Sequence, residues 1–275
     1  MMRDGEDSVT KPTLKSAAAA SRWLSTLLPL TLLVVLSCIF SALFVSAPVN
    51  HLDSVPFPVG EKLSYRISWS NVIEAGTAEL SVAPSTKVTA ALKLELKAAT
   101  TSTLAKGYAF KDEFVSHFDP TIGAPRLFEK NFSERKRIVK ETTNFDQINR
   151  TTTFVNSKNQ TKTFTVETGT QDPVSALFAL RMIGLRTGVR IELPVVDGGR
   201  VYLLSAKVVG RELITTKLGA FDTNRVEVSI RGETTTSERH GITLWITADA
   251  RRIPVLASVA FPIGAGIVEL VNQAP

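Results

Sequence analysis

The stretch "GEKLSYRISWSNVIEAGTAELSV", residues 60–82, carries two runs of alternation joined by turn residues. In "LSYRISW" the residues Leu63, Tyr65, Ile67 and Trp69 occupy every second position, which puts them on one face of an extended strand. In "AGTAELSV" Gly76, Ala78, Leu80 and Val82 repeat that spacing. Between them, Asn71 and Gly76 supply the backbone freedom for a turn and a bulge. The stretch predicts a β-hairpin with one buried face.

The period of two continues downstream. "VTAALKLELKA" alternates Leu92, Leu94 and Leu96 with Lys93, Glu95 and Lys97. "YAFKDEFVSHF" sets Tyr108, Phe110, Phe114 and Phe118 on one parity, interrupted by Asp112 and Ser116. "RLFEKNF", "RIVKETTNF" and "INRTTTFV" add strands rich in Thr and aromatic residues, as strands prefer. One segment breaks the pattern. In "TQDPVSALFALRMIGLRTG", Asp172 is placed to cap a helix and Pro173 to occupy its first position, with Gly184 or Gly188 to end it. That helix is apolar on most sides, which predicts burial against the sheet. Beyond it come "VRIELPVV", the turn "DGG" at Asp197 to Gly199, "RVYLLSAKVV", "FDTNRVEVSIR", "GITLWITAD", "RRIPVLASVAF" and "AGIVELV". Roughly 13–15 strands at this spacing predict an all-β, mainly antiparallel fold, a curved barrel-like or sandwich sheet with one short buried helix.

The chain upstream differs in kind. Residues 1–22 are polar, and residues 23–47 are almost wholly apolar, with no Asp, Glu, Lys or Arg after Arg22. A run of that length can cross a bilayer as a signal peptide or signal-anchor helix, since about 20 residues suffice. Lys11, Lys15 and Arg22 precede it, so the positive-inside rule exports everything from residue 48 to residue 275. The expected location is periplasmic, with an inner-membrane anchor through residues 23–47 if they are uncleaved. Cys38, the chain's single cysteine, lies inside the apolar run, so the exported part folds without a disulfide. Basic residues there number 28 against 23 acidic ones, a balance that favours solubility and does not mark a nucleic-acid partner.

Residues that carry chemistry are sparse. His117 and His240, with His51 in the linker, are not at metal-ligand spacing, and no G-x-S-x-G elbow or phosphate-binding loop occurs. No cofactor is implied. Asp112 and Glu113 are adjacent on a strand and point to opposite faces, so an acid–base pair cannot act jointly there. In "LWITADARRIPV", Trp245 belongs to a strand, Asp249 to a turn, and Arg251 could hold an anionic group. The candidate ligand-binding set is Tyr65, Trp69, Tyr108, Phe110, Asp112, Trp245, Asp249 and Arg251.

Three stretches in order, "FPVGEKLSYRISWSNVIEAGTAEL", "DPVSALFALR" with "PVVDGGRVYLLSAKVVGRE", and "LWITADARRIPVLASVAF", resemble the bacterial domain-of-unknown-function family 3108. The resemblance spans about residues 56–272. It implies an exported envelope protein with a β-rich shape, and it carries over no catalytic residue. The expected function is a non-catalytic β-domain that binds a lipid-like or amphipathic small molecule, or an envelope protein partner. The alternatives are a carboxylate-based hydrolase of envelope glycan or lipid and a scaffold that pairs through an edge strand.

Overall fold

The computed structural model describes residues 56–70, 72–101, 109–134, 137–232, 239–261 and 264–274. The segments 1–22 and 23–47, His51, the turn residue Asn71 and Tyr108 lie outside the described residues. The hairpin forms as its sequence predicts. Strand β1 (Lys62–Trp69) pairs antiparallel with β2 (Ile73–Pro84), and Leu63, Tyr65 and Ile67 stand opposite Leu80, Ala78 and Gly76. The register shifts between Ile67 and Ser68, a bulge beside Gly76. A Cβ at Gly76 would come within 2.4 Å of the Ala99 carbonyl oxygen, so only glycine lets β3 approach here.

Among the described residues, every strand joins one sheet. Strands β3 (Leu92–Thr100), β4 (Phe110–Asp119), β5 (Ala124–Glu134), β6 (Arg137–Asp146), β7 (Thr151–Val155) and β8 (Thr161–Thr165) follow β2 as a meander. A second meander runs through β9 (Arg190–Asp197), β10 (Arg200–Thr216), β11 (Gly219–Gly232), β12 (Arg239–Thr247), β13 (Pro254–Phe261) and β14 (Gly264–Ala274). The two meanders meet where β1 pairs antiparallel with β14, which gives a curved, open sheet of 14 strands bounded by β8 and β9. It is a single sheet rather than the two layers of a sandwich. Its curvature brings the end strands to one seam, because Lys162 of β8 donates a hydrogen bond to the carbonyl of Gly199, just past β9.

The helix α1 (Pro173–Met182) lies between β8 and β9 in sequence and fills the concave side. Asp172 accepts from the backbone N–H groups of Val174 and Ser175, and the Ser175 hydroxyl accepts from the Asp172 N–H, a reciprocal cap. The helix ends at Ile183, whose extended backbone precedes Gly184. Its apolar residues serve two clusters: Val174 and Phe178 pack with β1 to β6, and Ala176 and Leu180 pack with β9 to β13. A helix wedged between two halves of a sheet needs no polar face, and its residues are nearly all buried.

Aromatic rings fill the space beside it. Phe57 meets Phe178 edge-on at 4.8 Å between centroids and Phe118 at 6.4 Å. Arg181 is fully buried between the rings of Phe57 and Phe178 and forms a two-pronged pair with Glu61 at 2.6 and 2.7 Å. It also donates to the carbonyls of Arg251 and Arg252. One guanidinium thereby ties the helix to the entry of β1 and to the β12–β13 turn. Among the described residues, no helix is long and apolar enough to cross a membrane.

Candidate functional site

A charged group interrupts the apolar filling near the seam. Lys130 of β5 donates to both carboxylate oxygens of Asp197 at the end of β9, at 2.9 and 3.0 Å. Glu141 stands directly opposite Lys130 on β6, with its carboxylate 3.8 Å from the same ammonium. Asp112 is one diagonal step away on β4, is 3% exposed, and has an Oδ1 without a hydrogen-bond partner. Burial pushes its carboxyl up to about 7; Glu134 adds to the rise, and the Ser133 N–H and Lys130 oppose it. Burial also lifts Glu141, aided by Asp197 and opposed chiefly by Lys130. Two carboxylates thus contact one ammonium, with the buried Asp112 carboxyl a diagonal step away on the neighbouring strand. Such a group can hold protons that an exposed carboxylate would release.

Asp197 links this group to the surface. It opens the β9–β10 turn, where Gly198 (φ +55°) and Gly199 (φ +70°) adopt the left-handed backbone of a two-residue type I′ hairpin. A Cβ on Gly199 would fall 2.7 Å from Cδ1 of Phe154, so the turn packs directly on that ring. Outside it lies a cleft of about 330 Å³ lined by Phe154, Asn156, Gln160, Thr161, Lys162, Gly198, Gly199 and Arg200. The cleft sits on the unpaired seam, with Lys162 and Arg200 at its rim and a buried ring as its floor. The sequence signal for it was the turn "DGGR"; the contribution of Phe154 and Lys162 carries no local signal.

A hydroxyl–imidazole–carboxylate row forms elsewhere. The Ser85 hydroxyl lies 2.8 Å from Nδ1 of His117, and Nε2 lies 3.1 Å from Glu129. Burial opposes ionisation of Glu129, but hydrogen bonds from Lys87 and His117 outweigh it and hold this carboxyl below its ordinary value. The Ser85 oxygen already accepts from the backbone N–H groups of Lys87 and Val88, at 3.2 and 2.9 Å. Its lone pairs are occupied and His117 is 2% exposed, so the row has the geometry of a clasp between the β2–β3 loop and β4–β5. Among the described residues, no group of three or more His, Cys, Asp or Glu is arranged to hold a metal ion.

The residues singled out from sequence are dispersed. Tyr65 is buried in the cluster around α1 and donates to the Pro254 carbonyl at 3.0 Å; burial raises its phenol above the ordinary value. Trp69 ends β1 opposite Ile73 and Gly266, half-buried. Phe110 packs beside Ile67, Ala75 and Ala98. Trp245 donates from its indole to Glu212 at 2.8 Å. Asp249 accepts from Thr247 and from the Arg251 backbone and guanidinium. Burial works against it, yet these bonds keep its carboxyl below the usual range. Of the set, Asp249 and Arg251 touch each other, and Asp112 alone belongs to the charged group behind the seam.

Comparison with solved structures shows the fold. A β-barrel-like protein of the domain-of-unknown-function family DUF1849 from Brucella abortus is similar with a TM-score of 0.56 at 11% identity, covering 79% of this chain and 98% of that one. A candidate exported protein with a YmcC-like fold from Bacteroides fragilis aligns at a TM-score of 0.35 and 9% identity, over 80% of this chain and 98% of its own. A candidate lipoprotein from Parabacteroides distasonis aligns at 0.32 and 10%, over the same shares. No curated protein matches the chain in sequence. Strands β2 to β13, the capped helix and most of the hairpin of residues 60–82 fall within the reach of one family model, and the chain belongs to that family, the proteins of unknown function DUF3108, which it matches over residues 64–271.

Proposed function

We propose that this chain is an exported envelope protein whose β-domain is a non-catalytic binding module, with its site at the seam between β8 and β9. One observation carries the reading: the curved sheet stops short of closing, and the cleft of about 330 Å³ lies at that gap. A continuous barrel would have no free edge there. The rest of the concave side supports the same reading, because α1, Phe57, Phe118 and Phe128 occupy the space a lipid carrier would leave hollow. The occupant would therefore lie across the seam rather than inside the sheet, with its anionic groups toward Lys162 and Arg200. Export is supported by the apolar run of residues 23–47 behind Lys11, Lys15 and Arg22.

The test is a photo-reactive amino acid placed at Gln160 of the full chain in living bacteria, with Lys207 on β10 as the control position. The expected result is an adduct at Gln160 that is absent at Lys207 and lost on Arg200→Glu. The mass of the adduct separates a small amphipathic ligand from a protein. No adduct at Gln160, or equal adducts at both positions, overturns the assignment of the seam.

A further inference from the structure

The two strands that border the seam are treated differently by the chain. On the β9 side, the Gln171 N–H donates to the Pro194 carbonyl at 2.7 Å and the Val196 N–H donates to the Gln171 carbonyl at 2.8 Å. The edge of β9 is thus covered by the lead-in to α1, and Pro194 has no N–H to offer. The edge of β8 has neither protection.

Its pairing with β7 fixes which groups are free. The Asn156 N–H donates to Gln160 and the Val166 N–H donates to Arg150, and the register runs evenly between them. Antiparallel strands exchange bonds at alternate pairs, so Gln160, Lys162, Phe164 and Val166 direct their backbone groups to β7. Thr161, Thr163 and Thr165 turn theirs to the seam, and all three residues are exposed. The strand holds no proline, and its register with β7 runs without a bulge. Around it stand Lys158, Lys162 and Arg200, all exposed and, among the described residues, without a carboxylate partner.

We propose that the partner is an extended acidic peptide segment that adds to β8 as a further antiparallel strand, its backbone bonding Thr161, Thr163 and Thr165 and its carboxylates meeting Lys158, Lys162 and Arg200. This rests on the seam being the binding site and names what fills it. Main-chain pairing supplies the attachment, and the cations select the sign of the side chains.

The probe is an acetylated peptide of alternating Thr and Glu, with a Thr–Lys peptide as counterpart, titrated against the full chain by fluorescence anisotropy. Hydrogen exchange followed by mass spectrometry reports where it binds. The Glu peptide should bind, slow exchange over residues 160–166, and exceed the Lys peptide by about tenfold or more; Arg200→Glu should narrow that gap. Thr163→Pro removes a seam-facing N–H while leaving the β7 bonds intact, and should weaken binding by roughly tenfold, whereas Thr163→Val should not. Methylating the peptide's own seam-facing amides should abolish binding to the unaltered protein, a control that cannot be confused with misfolding. Failure of the Glu peptide to bind, or binding indifferent to both methylation and Thr163→Pro, overturns the strand-addition proposal. If Gln160 adducts persist in that case, the seam remains the site and its occupant is of another class; if they too are absent, both fall.

Discussion

Replacing Asp112 with Asn should stabilise the folded protein above pH 7 and leave its stability almost unchanged below pH 4. The carboxyl is 3% exposed, one of its oxygens has no hydrogen-bond partner, and burial lifts it from 3.8 to about 7. Between those values the folded chain keeps a proton that the unfolded chain has lost. Unfolding then releases the proton, so stability falls as pH rises from about 4 to about 7 and is flat on either side. At about 1.4 kcal/mol per pH unit, the interval sets an upper bound of about 4 kcal/mol. Glu134 beside it is only half-buried, so water at that rim brings the expected difference to about 2–3 kcal/mol. Asn keeps the shape and carries no charge at any pH. Urea unfolding followed by tryptophan fluorescence at pH 4, 6 and 8 gives the difference between variant and wild type directly, and other titrating groups cancel in the subtraction. A difference that does not grow between pH 4 and pH 8, or that favours wild type at pH 8, would refute the account of a charge held away from water behind the seam.

Three further outcomes follow from the same packing. Arg181→Met leaves Glu61 buried without its partner and should cost about 3–5 kcal/mol in urea unfolding, with partial recovery when Glu61→Gln is added. Lys130→Met strands Asp197 and Glu141; a loss of about 3–5 kcal/mol is expected, with faster hydrogen exchange at the β9–β10 turn. Gly199→Ala forces a side chain into a left-handed backbone and to within 2.7 Å of Phe154, so a loss of about 1–3 kcal/mol in thermal unfolding is expected, whereas Gly198→Ala, whose Cβ meets nothing within 4 Å, should lose less.

The strands, the hairpin of residues 60–82 and the capped start of α1 could be read from the sequence because each is set by neighbours in the chain. Alternation puts Leu63, Tyr65 and Ile67 on one side whatever the rest of the molecule does, and Asp172 with Pro173 begins a helix by local hydrogen bonding and a fixed φ. Asp112 was legible as an interior carboxyl for the same reason, since it shares parity with Phe110 and Phe114. That β1 would pair with β14, that the sheet would curl until β8 and β9 face each other, and that Lys130 would reach Asp197 are decided by tertiary structure. Those contacts join residues far apart in sequence, and they depend on the accumulated curvature of 14 strands around α1. The cleft is the product of that curvature, assembled from a turn, an edge strand and the ring of Phe154, none of which announces the others in the chain.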